Sequence, residues 1–223
     1  MVIVKVDKVH KIYKTGKIEF EALKGIDLEI KKGEFIALAG PSGSGKTTLL
    51  NLIGCLDRPT QGRVYLEDEE ISSLSASKLT DIRRKKIGFI FQTFNLIPVL
   101  SAYENIEFPL LLQKSSSSSR RKKVLQVAEE IGLTDVIHHR PAELSGGQQQ
   151  RVAIARTLVI DPLIILADEP TANLDSHTGE IIIELMQRFN RDKNTTFLFS
   201  THDTMIMDHA SRVVKIHDGN LGG

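Results

Sequence analysis

Gly40-Pro41-Ser42-Gly43-Ser44-Gly45-Lys46-Thr47 is the stretch that decides the fold. It fits G-x-x-x-x-G-K-[ST], a motif that requires a strand before it and a helix after it. Residues 34–39 form a short apolar run that reads as the strand, and residues 46–56 carry the helical pattern. The glycines let the backbone curl so that successive N–H groups point inward at phosphate oxygens. The helix beginning near Lys46 adds its positive dipole end to the same anion. Lys46 is expected to reach the β- and γ-phosphates and the Thr47 hydroxyl to ligate Mg²⁺, with Thr48 counted in the same site. Strand, glycine loop and helix in this order predict an α/β sheet protein with a nucleoside triphosphate site. A glycine-rich turn that binds nothing is the competing reading, and a full eight-residue match in context makes it the weaker one.

Ile164-Ile165-Leu166-Ala167-Asp168-Glu169 supplies a second half. A buried strand here ends in two adjacent carboxylates at its carboxyl edge, where ligands sit in open parallel sheets. Asp168 is expected to hold the Mg²⁺ shell, directly or through water. Glu169, pointing the other way along the strand's alternation, is expected to polarise or deprotonate an attacking water. Leu144-Ser145-Gly146-Gly147-Gln148 opens a further helix. Ser145 is a natural N-cap, and the glycines expose backbone N–H groups, making a second anion-seeking helix terminus about a hundred residues from the first.

The surrounding chain fits a globular α/β protein. It has 223 residues, enough for one large domain, and should bury roughly 70% of its unfolded surface. With 29 Lys+Arg against 28 Asp+Glu the net charge is +1, which excludes a strongly basic nucleic-acid footprint and an acidic disordered chain. The single cysteine, Cys55, rules out an intrachain disulfide and a Cys-rich zinc site, and reads as a small buried apolar residue. No apolar stretch approaches the ~20 residues of a spanning helix, and the alternating N-terminus lacks a signal-peptide core, so a soluble cytoplasmic protein is expected.

Period-two alternation predicts strands over 2–13 and 20–30, joined by a hairpin connection at Lys14-Thr15-Gly16-Lys17. Further strands are predicted over 62–66, 87–91, 163–167, 196–200 and 213–216. Helices are predicted over 103–112, 121–131, 147–160 and 176–189. The run Ser115 to Ser119 reads as a loop whose last serine caps the helix starting near Arg120. The coarse picture is a sheet domain interrupted by a mostly helical insert.

The P-loop, the segment 144–148 and the strand 164–169, in that order and spacing, resemble the ATP-binding subunit of an ABC transporter over about residues 2–219. The pentapeptide LSGGQ makes the resemblance specific. It implies a P-loop NTPase core of mixed sheet and helices, with an N-terminal antiparallel β subdomain and an inserted helical subdomain. Residues 1–92 and 161–223 would form the RecA-like catalytic core with its β subdomain, and about 93–160 the helical signature subdomain, all within one domain. ATP and Mg²⁺ are the implied ligands. Two copies are expected to pair head to tail, Ser145, Gly146, Gly147 and Gln148 of one covering ATP on the P-loop (Gly40, Pro41, Ser42, Gly43, Ser44, Gly45, Lys46, Thr47) of the other. The remaining family positions carry over singly. Tyr13, at the end of the first strand, matches the aromatic that stacks on adenine. Gln92 matches the glutamine that touches Mg²⁺ and the attacking water, at the hinge of the helical insert. Asp175 matches the loop that contacts the opposite subunit, and His202 the histidine that contacts the γ-phosphate. With Glu169, His202 and Lys46 all present, the chain is expected to hydrolyse ATP.

Softer marks narrow the resemblance to the lipoprotein-releasing and macrolide-export group: Asn51 to Thr60, Gly88-Phe89-Ile90-Phe91-Gln92, Asn95-Leu96-Ile97-Pro98 and Glu104 to Leu110. In that group the ATPase drives a membrane permease by transmitting motion, which places the chain at the cytoplasmic face of the membrane. The apolar residues between Phe94 and Leu111 exceed the needs of a small core, and part of them is expected to form a groove for a cytoplasmic helix of the permease. The alternative is a regulatory ATPase of the same class, acting through a membrane partner without moving a solute, as in cell division. A DNA-maintenance role is disfavoured, since no coiled-coil insertion separates the motifs, and no nucleic acid is expected as a partner.

Overall fold

The chain runs β1 Val2–Thr15, β2 Ile18–Lys31, β3 Phe35–Ala39, α1 Lys46–Ile53, β4 Gln61–Leu66, β5 Glu69–Glu70, α2 Ala76–Lys86 and β6 Ile87–Ile90. It continues α3 Ala102–Leu112, α4 Ser117–Glu130, α5 Gly146–Leu158, β7 Ile164–Asp168, α6 Ser176–Lys193, β8 Thr196–Thr201, α7 Thr204–His209, β9 Arg212–His217 and β10 Asn220–Gly222. The structure is a computed structural model describing residues 1–16 and 18–222. Lys17, assigned to the hairpin connection, lies outside the described residues.

Strands buried on both faces carry unbroken apolar runs. β3 and β8 are buried at every residue, and β7 at its first four. They form the centre of a six-stranded sheet in the order β10-β9-β3-β8-β7-β6, parallel except for the edge strand β10. Side-chain alternation then sorts the core. Ile36, Leu38, Ile164, Leu166 and Leu198 join one hydrophobic cluster with α1 and the N-terminal strands. Phe35, Ala37, Ile165, Ala167, Phe197 and Phe199 join the other, which packs α3 to α6. Phe35 contacts Phe197 and Phe199 with ring centroids 5.4 and 4.5 Å apart. The second sheet is antiparallel, in the order β2-β1-β4-β5, and its alternation buries Ile26, Leu28 and Ile30.

Several local expectations need correction. Helix α1 ends at Ile53 rather than residue 56, because Cys55 turns left-handed at φ 59 and its N–H closes onto Leu52 O in place of Asn51 O. Cys55 is buried, and burial pushes its thiol up to about 11, so it is inert at neutral pH. Helix α4 starts three residues before Arg120. Its cap is Ser116, which accepts from Ser119 N, so the last three serines form the first turn with their side chains in water. Helix α2 escaped the sequence reading because it buries only Leu79 and Ile82; Ser75 caps it, and four basic residues end it where the helix dipole favours cations. Helix α6 runs on to Lys193, where Asn194 adopts the left-handed conformation that stops it.

The segment between β6 and α3 has no regular structure, yet it is held firmly. Phe94 and Asn95 are both left-handed, at φ 56 and 48, and their carbonyls accept from the Arg156 guanidinium on α5. Asn105, fully buried, accepts from Ile97 N and donates to the carbonyls of Ile97, Leu100 and Ser101. Removing that amide takes away the acceptor of Ile97 N–H and the side-chain donor to Leu100 O. Asn105→Ala is therefore expected to lower stability by about 2–3 kcal/mol, read as a shift in the urea unfolding midpoint at unchanged slope.

Candidate functional site

At the carboxyl edge of the parallel sheet lies a cleft of about 380 Å³, lined by Tyr13, Phe20, Ala22, Ser42, Gly43, Gly45, Lys46, Thr47, Thr48, Gln92, Asp168, Glu169 and Ser200. Its floor is the P-loop. Gly45 opens α1 at φ 107, with no side-chain cap and no acidic residue in the first turn among the described residues. The first-turn N–H groups are thus available to an anion. Lys46 is buried and lies back across its own loop, donating to Gly40 O at 2.7 Å and Pro41 O at 3.0 Å. Gly40, Pro41 and Ser44 do not line the cleft; they form the loop's rear, where Ser44 is buried and its N–H donates to Pro41 O.

Thr47 Oγ1 donates to both oxygens of Asp168, at 3.2 and 3.0 Å, so the two residues expected to share a metal already meet. Asp168 is the last residue of β7, beside Ser200 of β8, whose hydroxyl is buried and without a partner among the described residues. Glu169 departs from the sequence reading. It lies beyond the strand at φ 46, a left-handed conformation that costs a non-glycine residue energy, so this turn and not strand alternation sets its direction. Its N–H donates to Ser200 O, and its Oε1 meets His202 Nδ1 at 2.8 Å. His202 does not line the cleft; its exposed side chain joins it through Glu169. An ionised Glu169 accepts from Nδ1–H, which fixes the imidazole and leaves Nε2 for a ligand.

Tyr13 lies within β1, which continues to Thr15, and not at its end. Its hydroxyl donates to Asp57 Oδ2 at 3.0 Å, and the Lys11 ammonium stands 4.8 Å from its ring centroid. Burial, helped by Asp57, raises the phenol's pKa, and Thr48 on the P-loop helix offsets only part of that rise. Burial opposes ionisation of Asp57, but hydrogen bonds from Lys11, Arg58 N and Tyr13 outweigh it and hold the carboxyl below its ordinary range. Phe20, Ala22 and Ser200 were missed by sequence reasoning. Phe20 pairs directly opposite Tyr13 in the antiparallel register and remains 58% exposed, a placement the chain's local pattern does not give.

Ser145, Gly146, Gly147, Gln148 and Asp175 lie outside this cleft. Ser145 and Gln148 form a reciprocal capping box at the start of α5. Asp175 caps α6, and the Thr178 hydroxyl and N–H hold its carboxyl below the ordinary range. The two helix starts touch: a Cβ on Gly147 would lie 2.6 Å from Thr178 Cγ2, and one on Gly146 would lie 3.5 Å from Leu174 Cδ2. Asn173 Nδ2 donates to Gln92 O at 2.7 Å, linking this region back to the cleft.

Residues 23–172 match the family model described as ABC transporter, from the second strand through both carboxylates to the turn before α6. The chain is an ABC transporter ATP-binding subunit. An ABC transporter ATP-binding protein of Thermotoga maritima is 47% identical over 96% of this chain and 92% of that protein. The macrolide export ATP-binding/permease protein MacB of Wolinella succinogenes is 45% identical over 96% of this chain but only 33% of its own length. Among solved structures, the dimeric post-hydrolysis state of the ATP-binding cassette MJ0796 bound to ADP and Pi superposes with a TM-score of 0.91 at 47% identity, covering 99% of this chain and 97% of that one. A protein named MJ0796 in Methanocaldococcus jannaschii is 48% identical over 98% of this chain and 94% of that protein. The subunit is thus an ABC ATPase with the family's α/β fold and its antiparallel N-terminal sheet. Lys46→Ala removes the loop's one charged donor and the partner of two of its carbonyls. ATP affinity is expected to fall at least about tenfold, measured by titration calorimetry.

Proposed function

We propose that this ATPase works as a head-to-tail pair of copies, uses Mg²⁺, and drives a separate membrane permease of the export or lipoprotein-releasing type from the cytoplasmic face of the membrane. The observation that carries the pairing is the split between the cleft and the 145–148 segment. One chain brings Tyr13, the P-loop, Gln92, Asp168 and Glu169 to one cleft and leaves the second anion-seeking helix start outside it. A second copy would supply that helix start, with Asp175 at the seam.

Thr47, Asp168 and Gln92 are oxygen donors suited to a hard cation, and the Thr47–Asp168 contact supports Mg²⁺ between them. When bound, Mg²⁺ supplies positive charge to the β- and γ-phosphates. The chain's own residues do the rest. Lys46 and the first-turn N–H groups of α1 orient the triphosphate and stabilise the charge that develops on the transferring phosphoryl group. The Glu169 carboxylate takes a proton from the attacking water. His202, held at Nδ1 by Glu169, presents Nε2 to the γ-phosphate.

The permease reading rests on relatives and on one groove. No helix among the described residues is long and apolar enough to cross a membrane, and MacB, where this chain matches a third of the length, is named as ATP-binding part and permease together. A cleft of about 280 Å³ lies between α2, β6, α3 and α5, lined by Phe89, Phe91, Pro109, Leu112 and Ile160 with Arg83 and Arg84 at its side. It would seat a short permease helix. It draws on less of the 94–111 stretch than the sequence suggested, since Ala102, Ile106 and Leu110 are spent on the core. Residues of about 93–160 would carry motion from Gln92 to that groove.

Glu169→Gln tests the scheme. Turnover is expected to fall by about a hundredfold or more while ATP binding persists, and ATP should drive the variant into a stable dimer seen by light scattering. Tagged and purified from solubilised membranes of its source cell, it should retain a permease. Parental turnover would remove Glu169 as the base, and recovery of only division-associated partners would favour the regulatory alternative.

A further inference from the structure

The stretch Asp57-Arg58-Pro59-Thr60 takes no part in the phosphate chemistry, yet it is stitched to β1 at His10, Lys11, Ile12 and Tyr13. Thr60 Oγ1 accepts from Ile12 N at 2.9 Å, and Thr60 N–H donates to His10 O at 2.8 Å. Lys11 Nζ donates to Asp57 Oδ1 at 2.7 Å and to Arg58 O at 2.8 Å, with its side chain only 12% exposed. Asp57 Oδ1 also accepts from Arg58 N, and Oδ2 from the Tyr13 hydroxyl. One carboxylate therefore fixes the tip of the tyrosine and the ammonium that lies against its ring.

The consequence is conformational. A tyrosine left 39% exposed at a cleft rim would ordinarily lose rotamer freedom each time a ligand stacked on it. Here the hydroxyl is tied to Asp57, and Lys11 stands over the ring as a cation on its π-face. Ordering is complete before a ligand arrives, which is how preorganised sites gain affinity. Phe20, directly across the hairpin, extends the apolar rim.

We propose that Asp57, acting with Lys11, is the positioning residue that locks the Tyr13 ring as a preformed seat for the adenine base. The proposal rests on the reading of Tyr13 as the base-stacking aromatic. Asp57 touches neither nucleotide nor phosphate in this scheme; it acts through the tyrosine, so its loss is felt by the base and not by the triphosphate.

Titration calorimetry of the full chain with ATP and with inorganic tripolyphosphate separates those two ends. Asp57→Ala and Tyr13→Phe break the same hydrogen bond from opposite sides, so one remains informative if the other folds poorly. Each is expected to weaken ATP about three- to fivefold and leave tripolyphosphate unchanged, and the double variant should be no weaker than either single one. Tyr13→Ala should weaken ATP about tenfold or more, again sparing tripolyphosphate. Equal losses for ATP and tripolyphosphate, additive effects in the double variant, or unchanged ATP affinity in Asp57→Ala beside a weakened Tyr13→Ala would each overturn the positioning role. Full ATP affinity in Tyr13→Ala would instead remove the adenine assignment itself, and the proposal with it.

Discussion

The approach of three backbone segments around the P-loop is the constraint on which the remaining structure depends. Gly45 sits at φ 107, and a Cβ there would lie 2.7 Å from Ala22 O and 2.8 Å from Leu23 Cδ2 on β2. A Cβ on Gly40 would lie 2.1 Å from Ile216 O on β9. Gly219 N–H closes onto Ser44 O, and Lys24 N–H onto Gly219 O. The two sheets thus meet across the loop with no room for a side chain, so contact demands glycine at both positions and conformation demands it at Gly45 as well. That junction aims the uncapped start of α1 into the cleft. It also brings Tyr13 and Phe20, from the antiparallel sheet, over a phosphate site built by the parallel one.

The second constraint is mechanical. Gln92 at the cleft is tied through its carbonyl to Asn173, and Leu174 packs against Gly146 at the start of α5. Gln150 on that helix donates to Pro170 O, and Arg156 farther along it holds the two left-handed residues that follow Gln92. The segment leaving the cleft and the helix that bears Ser145 are therefore one hydrogen-bonded body. A displacement at Gln92 has a short, polar, well-packed route to both the groove beside α2 and the outward face of α5.

How much of this was legible follows from what each feature depends on. The P-loop and the 164–169 strand could be read because their chemistry requires fixed spacings between flanking elements, and those spacings survive in one dimension. The central strands were legible from unbroken apolar runs. Helix α2 was not, since two buried residues in eleven leave no hydrophobic stripe, and its stability comes from a cap, its charged end and tertiary contact. Glu169 was identified as a base candidate, but its direction depends on a left-handed turn that a strand pattern does not disclose. The serine run was misread by three residues because any of five identical residues could be the cap. Phe20 and Asp57 join the site only through cross-strand register and a contact 44 residues distant in sequence, which no local pattern encodes.

The central claim is that one chain holds half of each ATP site and a second copy completes it. Turnover per chain, measured at saturating ATP and Mg²⁺ over about a hundredfold range of protein concentration down to the nanomolar, tests this most directly. The account predicts a specific activity that rises with concentration and then levels off as pairing saturates. A specific activity constant across the whole range would contradict it, placing a complete site within the single chain.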